Sequence, residues 1–225
     1  MLASSKLRET MKVFGELTIQ LKNKLYLDLV AEIERKLTEG WTRNVERETE
    51  VWSRSQAKSS CFRYAGTDKA SPTSADLWLH NAGQHAYVSN IVPAQQGRLS
   101  YDEYNTILRT FWEQLAQPAA EILGLRALLS KTDVEIEDLL SKKAAEALQS
   151  FSANANKSTG SSHPLDKQRW NEFLITCHRK KDRIGTDLLS KWLMQDGWDE
   201  ESASDLVIQF EQGTGLLEQY DTTEG

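Results

Sequence analysis

Cysteine is scarce in this chain of 225 residues: only Cys61 and Cys177 occur, far apart and without a CxxC partner. That spacing suggests neither a disulfide framework nor a zinc knuckle and fits a reducing compartment. Long apolar runs are missing as well, since no window approaches the ~20 residues of a membrane span. Lys6, Arg8, Glu9, Lys12 and Glu16 interrupt the first stretch where a signal peptide needs its apolar core. A cytoplasmic protein without membrane contact is the expectation. Basic excess is the third absence: 27 Lys and Arg against 33 Asp and Glu give a net charge of −6. A protein that neutralises many phosphates carries the opposite balance, so general nucleic-acid or anionic-membrane binding is disfavoured. There is no internal repeat or heptad run, and no complete catalytic, metal or cofactor motif; neither a metal nor a cofactor is expected.

What is present is a globular composition. Hydrophobic residues make up 39% and charged residues 27%, with seven Trp, too apolar for a disordered chain and too polar for a membrane one. At ~150 residues per domain the length allows one large domain or two small ones. The charge is uneven: from Gly160 to Gly225 seven basic residues face thirteen acidic ones, which is the whole −6.

From about Leu17, apolar residues recur every four positions through Leu21, Leu25, Leu29, Ile33 and Leu37, which predicts one amphipathic helix closed by Gly40. Trp41–Trp52, Cys61–Tyr64, Ala75–His80 and Ala86–Val92 then read as three or four antiparallel strands, the last ended by Pro93. Ser100 and Glu103 have capping-box spacing ahead of a helix carrying Ile107, Leu108 and Phe111, with a break at Pro118 before a second stretch through Ile122 and Leu125. Thr132 and Glu135 are a second capping candidate before Ile136–Phe151. Ser152–His163 is loop chemistry, and Pro164 suits a helix start. Three short helices follow, marked by Trp170 and Phe173, by Leu189 and Trp192, and by Leu206 and Phe210 before Gly213. The expected fold is α+β: residues 1–126 with a small antiparallel sheet covered by helices, and residues 127–225 all-helical with a Ser/Asn-rich loop at 152–163.

Five groupings are candidates for chemistry or binding. If Arg43–Val51 is a strand, Glu46 and Glu48 project from one face, and Asp76 and His80 share a face of a neighbouring strand. Convergence of those faces would give a metal or acid–base site, although carboxylates at period two are more often the solvated side of a sheet. Cys61 with His80 or His85 would make a thiol–imidazole pair, against the commoner use of such a cysteine as a small buried hydrophobe. Lys157, Ser158, Thr159 and His163 lie just before a helix start, where backbone N–H groups bind anions, but the phosphate-loop pattern fails because residue 156 is Asn and no strand precedes it. Arg179, Lys180, Lys181 and Arg183 form a basic cluster that would touch phosphate in a nucleic-acid-binding regulator, opposed by the acidic helices after it. Trp198, expected to be partly exposed, with Asp199, Glu200 and Glu201 reads as an aromatic anchor in an acidic rim.

These features favour a non-catalytic interaction protein: a subunit, adaptor or antitoxin- or immunity-like inhibitor whose partner is another, basic protein. A metal-assisted hydrolase or nuclease using Glu46, Glu48, Asp76 and His80 is the alternative, and a nucleic-acid-binding regulator the third reading. The sequence leaves the oligomeric state open.

Overall fold

A computed structural model describes residues 10–52, 59–66, 74–157 and 163–223. The chain divides into two compact units, one of residues 13–132 and one of residues 1–12 with 133–225. The first, the mixed unit, carries 14 basic and 14 acidic residues; the second, the helical unit, carries 13 and 19, which is all of the net charge.

The mixed unit is built on a six-stranded antiparallel sheet with the order β3-β4-β5-β6-β2-β7. These are β2 (Leu17–Gln20), β3 (Trp41–Arg43), β4 (Ser59–Tyr64), β5 (Ala75–Asn81), β6 (His85–Pro93) and β7 (Arg126–Leu129), preceded in the chain by β1 (Met11–Lys12) of the other unit. Strands were expected from β3 to β6; the two that raise the number to six are β2 and β7. Leu17 and Leu21 fit a helical period, but Ile19 lies between them and all three are buried, which is the period of a strand. The helix therefore begins later, as α1 (Tyr26–Arg35). The expected long strand through Trp52 also stops early: past Arg43 the chain turns into α2 (Val45–Trp52), so the period-two spacing of its glutamates is carried by a helix and not by a strand.

One sheet face meets α1, α3 (Tyr101–Phe111) and α4 (Gln117–Ile122). Leu17, Ile19, Phe62, Leu77, Leu79 and Phe111 are fully buried in that core. Ser100 caps α3 in the expected box, its hydroxyl accepting from the Glu103 N–H at 3.2 Å while the Glu103 carboxylate takes the Ser100 N–H at 2.8 Å. Pro118 does not break the helix. A π turn over Trp112–Ala116 widens the backbone ahead of it, and the helix runs on to Ile122. Leu125 lies beyond its end, after Gly124 in a left-handed conformation at φ 66°.

In the helical unit, β1 pairs with β8 (Asp133–Val134), followed by α5 (Ile136–Leu139), α6 (Lys142–Asn154), α7 (Pro164–Lys180), α8 (Thr186–Gln195) and α9 (Glu200–Thr223). The capping box here is Glu135 with Asp138, not Thr132 with Glu135. Two of the helices expected to be short are long: α7 has 17 residues, and α9 has 24 because it continues through Gly213 and Gly215. Part of the predicted loop is helix as well, since α6 extends to Asn154 and Ser152 is fully buried. Pro164 opens α7 as expected, with His163 as its cap, the Nδ1 accepting from the Leu165 N–H at 3.2 Å.

Candidate functional site

The acid–base candidates come from α2, β4 and β5. On a helix Glu46 and Glu48 are turned away from one another, so Glu46 is exposed while Glu48 is buried. Arg43 grips the Glu48 carboxylate with Nε at 3.0 Å and Nη2 at 2.9 Å, and Glu48 Oε1 accepts the Cys61 N–H at 2.9 Å. Asn44 donates its N–H to the Cys61 carbonyl at 2.8 Å, so the carboxylate continues a ladder that β3 leaves unfinished. Asp76, also fully buried, is bonded by Arg63 Nε at 2.8 Å and Nη2 at 2.9 Å and by Arg47 from α2. Burial works against its ionisation, yet the two guanidinium groups hold its carboxyl below the usual range. His80 stands opposite Ser59 and its Nδ1 shares a 2.8 Å hydrogen bond with the Ser59 hydroxyl.

The structure thus brings Glu48 and Asp76 close to Cys61 and engages both with arginine, while Glu46 and His80 point elsewhere. Among the described residues no group of three or more His, Cys, Asp and Glu side chains is placed to hold a metal ion. Cys61 faces Trp78 across the ladder, not His80, and burial, with the Asp76 charge second, pushes its thiol up to about 12. His80 and His85 each approach the Tyr87 ring, with centroids at 5.2 and 6.0 Å.

Sequence reasoning missed a cleft of about 510 Å³ between β2 and β6. The two strands pair from Gln20↔His85 to Thr18↔Tyr87, after which β6 runs on to Pro93 against β5 alone. Asn105 of α3 holds the opposite wall away: its Oδ1 accepts the Gly15 N–H at 2.7 Å and its Nδ2 donates to the Val13 carbonyl at 2.8 Å. A Cβ at Gly15 would be tight there, 3.1 Å from Leu108 Cδ2 and 3.3 Å from Asn105 Oδ1. Phe14, 48% exposed, leans on Tyr101 and Tyr104 with ring centroids at 4.3 and 4.8 Å. No sequence signal marks this cleft, because Asn105 reads as an ordinary helix residue until its partners Gly15 and Val13 are known.

In the helical unit Trp198 corrects the expectation: it is buried, 3% exposed. Its indole N–H donates to the Ser152 hydroxyl at 2.7 Å, and its ring stacks on Phe151 at 5.3 Å. Gly197, at φ 97°, turns the chain so that the ring points inward. Asp199 caps α9 by accepting the Ser202 N–H at 2.8 Å, which lowers its carboxyl pKa, and Glu200 and Glu201 occupy the first turn, where the helix dipole favours them. Of the loop candidates, Lys157 bonds the Asp196 carbonyl and its carboxylate, the latter at 2.9 Å, and lies 5.9 Å over the Trp198 ring. Ser158 and Thr159 lie outside the described residues. Arg179 and Lys180 end α7, Lys181 takes a left-handed cap at φ 57°, and all three are exposed with Arg183. Beside it, His178 Nε2 meets Asp221 Oδ2 at 2.9 Å, joining α7 to the last turns of α9.

Residues 142–212 match the model of a protein family described as a domain of unknown function (DUF1889). The match begins with the first residue of α6 and stops just short of Gly213 within α9, so the chain resembles that family over the four-helix part of the helical unit. No curated protein and no solved structure matches the chain. No helix among the described residues is long and apolar enough to cross a membrane.

Proposed function

We propose that the chain is a non-catalytic interaction protein, a subunit, adaptor or antitoxin-like inhibitor, that binds a basic protein through its helical unit. The observation carrying this reading is the end of α9. There Leu216 and Tyr220, one helical turn apart, are 68% and 54% exposed on the unit that holds all of the net negative charge. Both lie past the stretch that resembles DUF1889, so they belong to what this chain adds to that bundle. An apolar pair within an acidic field suits a basic partner, because charge steers the encounter and the buried side chains supply the residence time. The anchor is therefore moved from the buried Trp198 to Leu216 and Tyr220, while the class of partner is kept.

The test is capture of the tagged full chain from its native lysate beside a Leu216→Ser/Tyr220→Ser variant of equal thermal stability. The reading expects one stoichiometric basic protein with the wild type and its loss with the variant. Equal recovery by both removes α9 as the docking element.

A further inference from the structure

We propose that the cleft between β2 and β6 of the mixed unit receives an extended polypeptide segment, which adds to the open edge of β6 and seats an apolar side chain flanked by lysine or arginine. This surface is on the other unit from α9 and goes beyond the reading above.

Three features select that occupant. The outer edge of β6 from Ser89 to Pro93 has no strand beside it among the described residues, and a strand edge left open offers its backbone groups to another chain. The gap is built, not frayed. Asn105 uses both ends of its side-chain amide on Gly15 and Val13, so the segment that would otherwise continue β2 along β6 is tied to α3. The lining suits an apolar side chain: Leu17 and Val88 together with the rings of Phe14, Tyr87 and Tyr104. A volume of about 510 Å³ holds one large side chain and the backbone on either side of it. Charge chooses the flanking residues. Glu16 and Tyr104 line the same cleft, Glu16 is exposed there and no lysine or arginine lines it; burial first and the Glu16 carboxylate second raise the Tyr104 hydroxyl above its ordinary pKa. An acidic segment would meet uncompensated repulsion there, whereas a basic one gains an ion pair.

The experiment is selection of short random linear peptides displayed on phage by the full-length chain, followed by calorimetric titration of the enriched peptides made synthetically. Enriched sequences are expected to share an apolar or aromatic position next to Lys or Arg. Their affinity should fall at least about tenfold with Tyr104→Ala, with Glu16→Lys, and with N-methylation of alternate peptide bonds of the probe, which blocks strand addition. Glu16 is on the exposed rim, so that variant keeps the test decisive should Tyr104→Ala fail to fold. Enrichment that is the same against the Glu16→Lys chain, binding indifferent to N-methylation, or no enrichment at all overturns the proposal. A concentration-dependent dimer abolished by Glu16→Lys would assign the cleft to a second copy and overturn it as well. The Leu216→Ser/Tyr220→Ser chain should bind the peptides as the wild type does, so this proposal and the α9 reading fail separately.

Discussion

Asp76 ionises despite its burial, and the acid sensitivity of the mixed unit follows from how it does so. Burial penalises the charged form, while Arg63 and Arg47 more than compensate, so its folded pKa lies below the unfolded value of ~3.9. Stabilisation from a depressed carboxyl is present above the unfolded pKa and lost as pH falls through the folded one. Urea midpoints measured from neutral pH into the acid range should therefore decline below about pH 4, and Asp76→Asn should flatten part of that decline. At neutral pH Asp76→Ala should cost about 3 kcal/mol, the low end of the range for a broken buried pair because both arginines keep contact with water. The two cysteines give an independent reading of burial: both thiols are pushed up to about 12, chiefly by desolvation. Neither should react with a disulfide reagent in the native chain at neutral pH, and both should react in denaturant; prompt native labelling of either would contradict its placement. Glu48, Asp76 and His80 were visible in the sequence as chemically interesting, but their partners were not. Arg43 is five residues from Glu48 and Arg63 thirteen from Asp76, and each pairing needs a turn or a ladder that composition does not announce.

At the scale of elements, α7 and α9 approach each other closely at one glycine. A Cβ on Gly213 would stand 2.8 Å from Leu174 Cδ1, whereas a Cβ on Gly215 would meet nothing within 4 Å. The two positions are two residues apart on the same helix, so they should respond to substitution with opposite signs. Gly213→Val should destabilise by about 1–3 kcal/mol through overpacking against Leu174. Gly215→Ala should stabilise by up to about 1 kcal/mol, because alanine removes the backbone entropy that glycine loses in a helix. Chemical denaturation of the two variants beside the wild type decides both. Sequence reading ended α9 at Gly213 for the usual reason that glycine terminates helices; here the glycine serves close packing instead, and that was legible only once Leu174 was known to face it. The core of this unit is a run of rings, Trp198 on Phe151, Phe151 on Trp170, Trp170 on Phe173 and Phe173 on Phe210, with centroids 4.9–5.8 Å apart. Ser152 closes one end by accepting from Trp198 and donating to Asp196 at 2.6 Å. Ser152→Ala should then cost about 1–3 kcal/mol, since it leaves a buried indole N–H unbonded.

Across the whole molecule the charge is divided as the units are, neutral in residues 13–132 and −6 in the remainder. If the helical unit binds a basic protein as proposed, association should slow as ionic strength rises past the point where the Debye length is ~10 Å, with a smaller change in dissociation, as surface-plasmon kinetics would show. An association rate indifferent to salt would argue that the acidic surface plays no part in the encounter. The sequence by itself determined the α+β class, the Ser100 cap, the β5 and β6 strands, the His163–Pro164 helix start and the acidic bias of the C-terminal region. Each of these is written in residues within a few positions of one another, where periodicity and capping act. Tertiary structure alone decided that Leu17–Gln20 is a strand, that Glu46 and Glu48 part company on a helix, that Trp198 turns inward, and that a cleft opens beside β6. The physical reason is distance along the chain: β2 takes its partners from residues 85–87 and 126–129, and Gly15 takes its bond from Asn105, 90 positions away. A short apolar run that satisfies both a helical and a strand period is resolved only by the surface it finally meets.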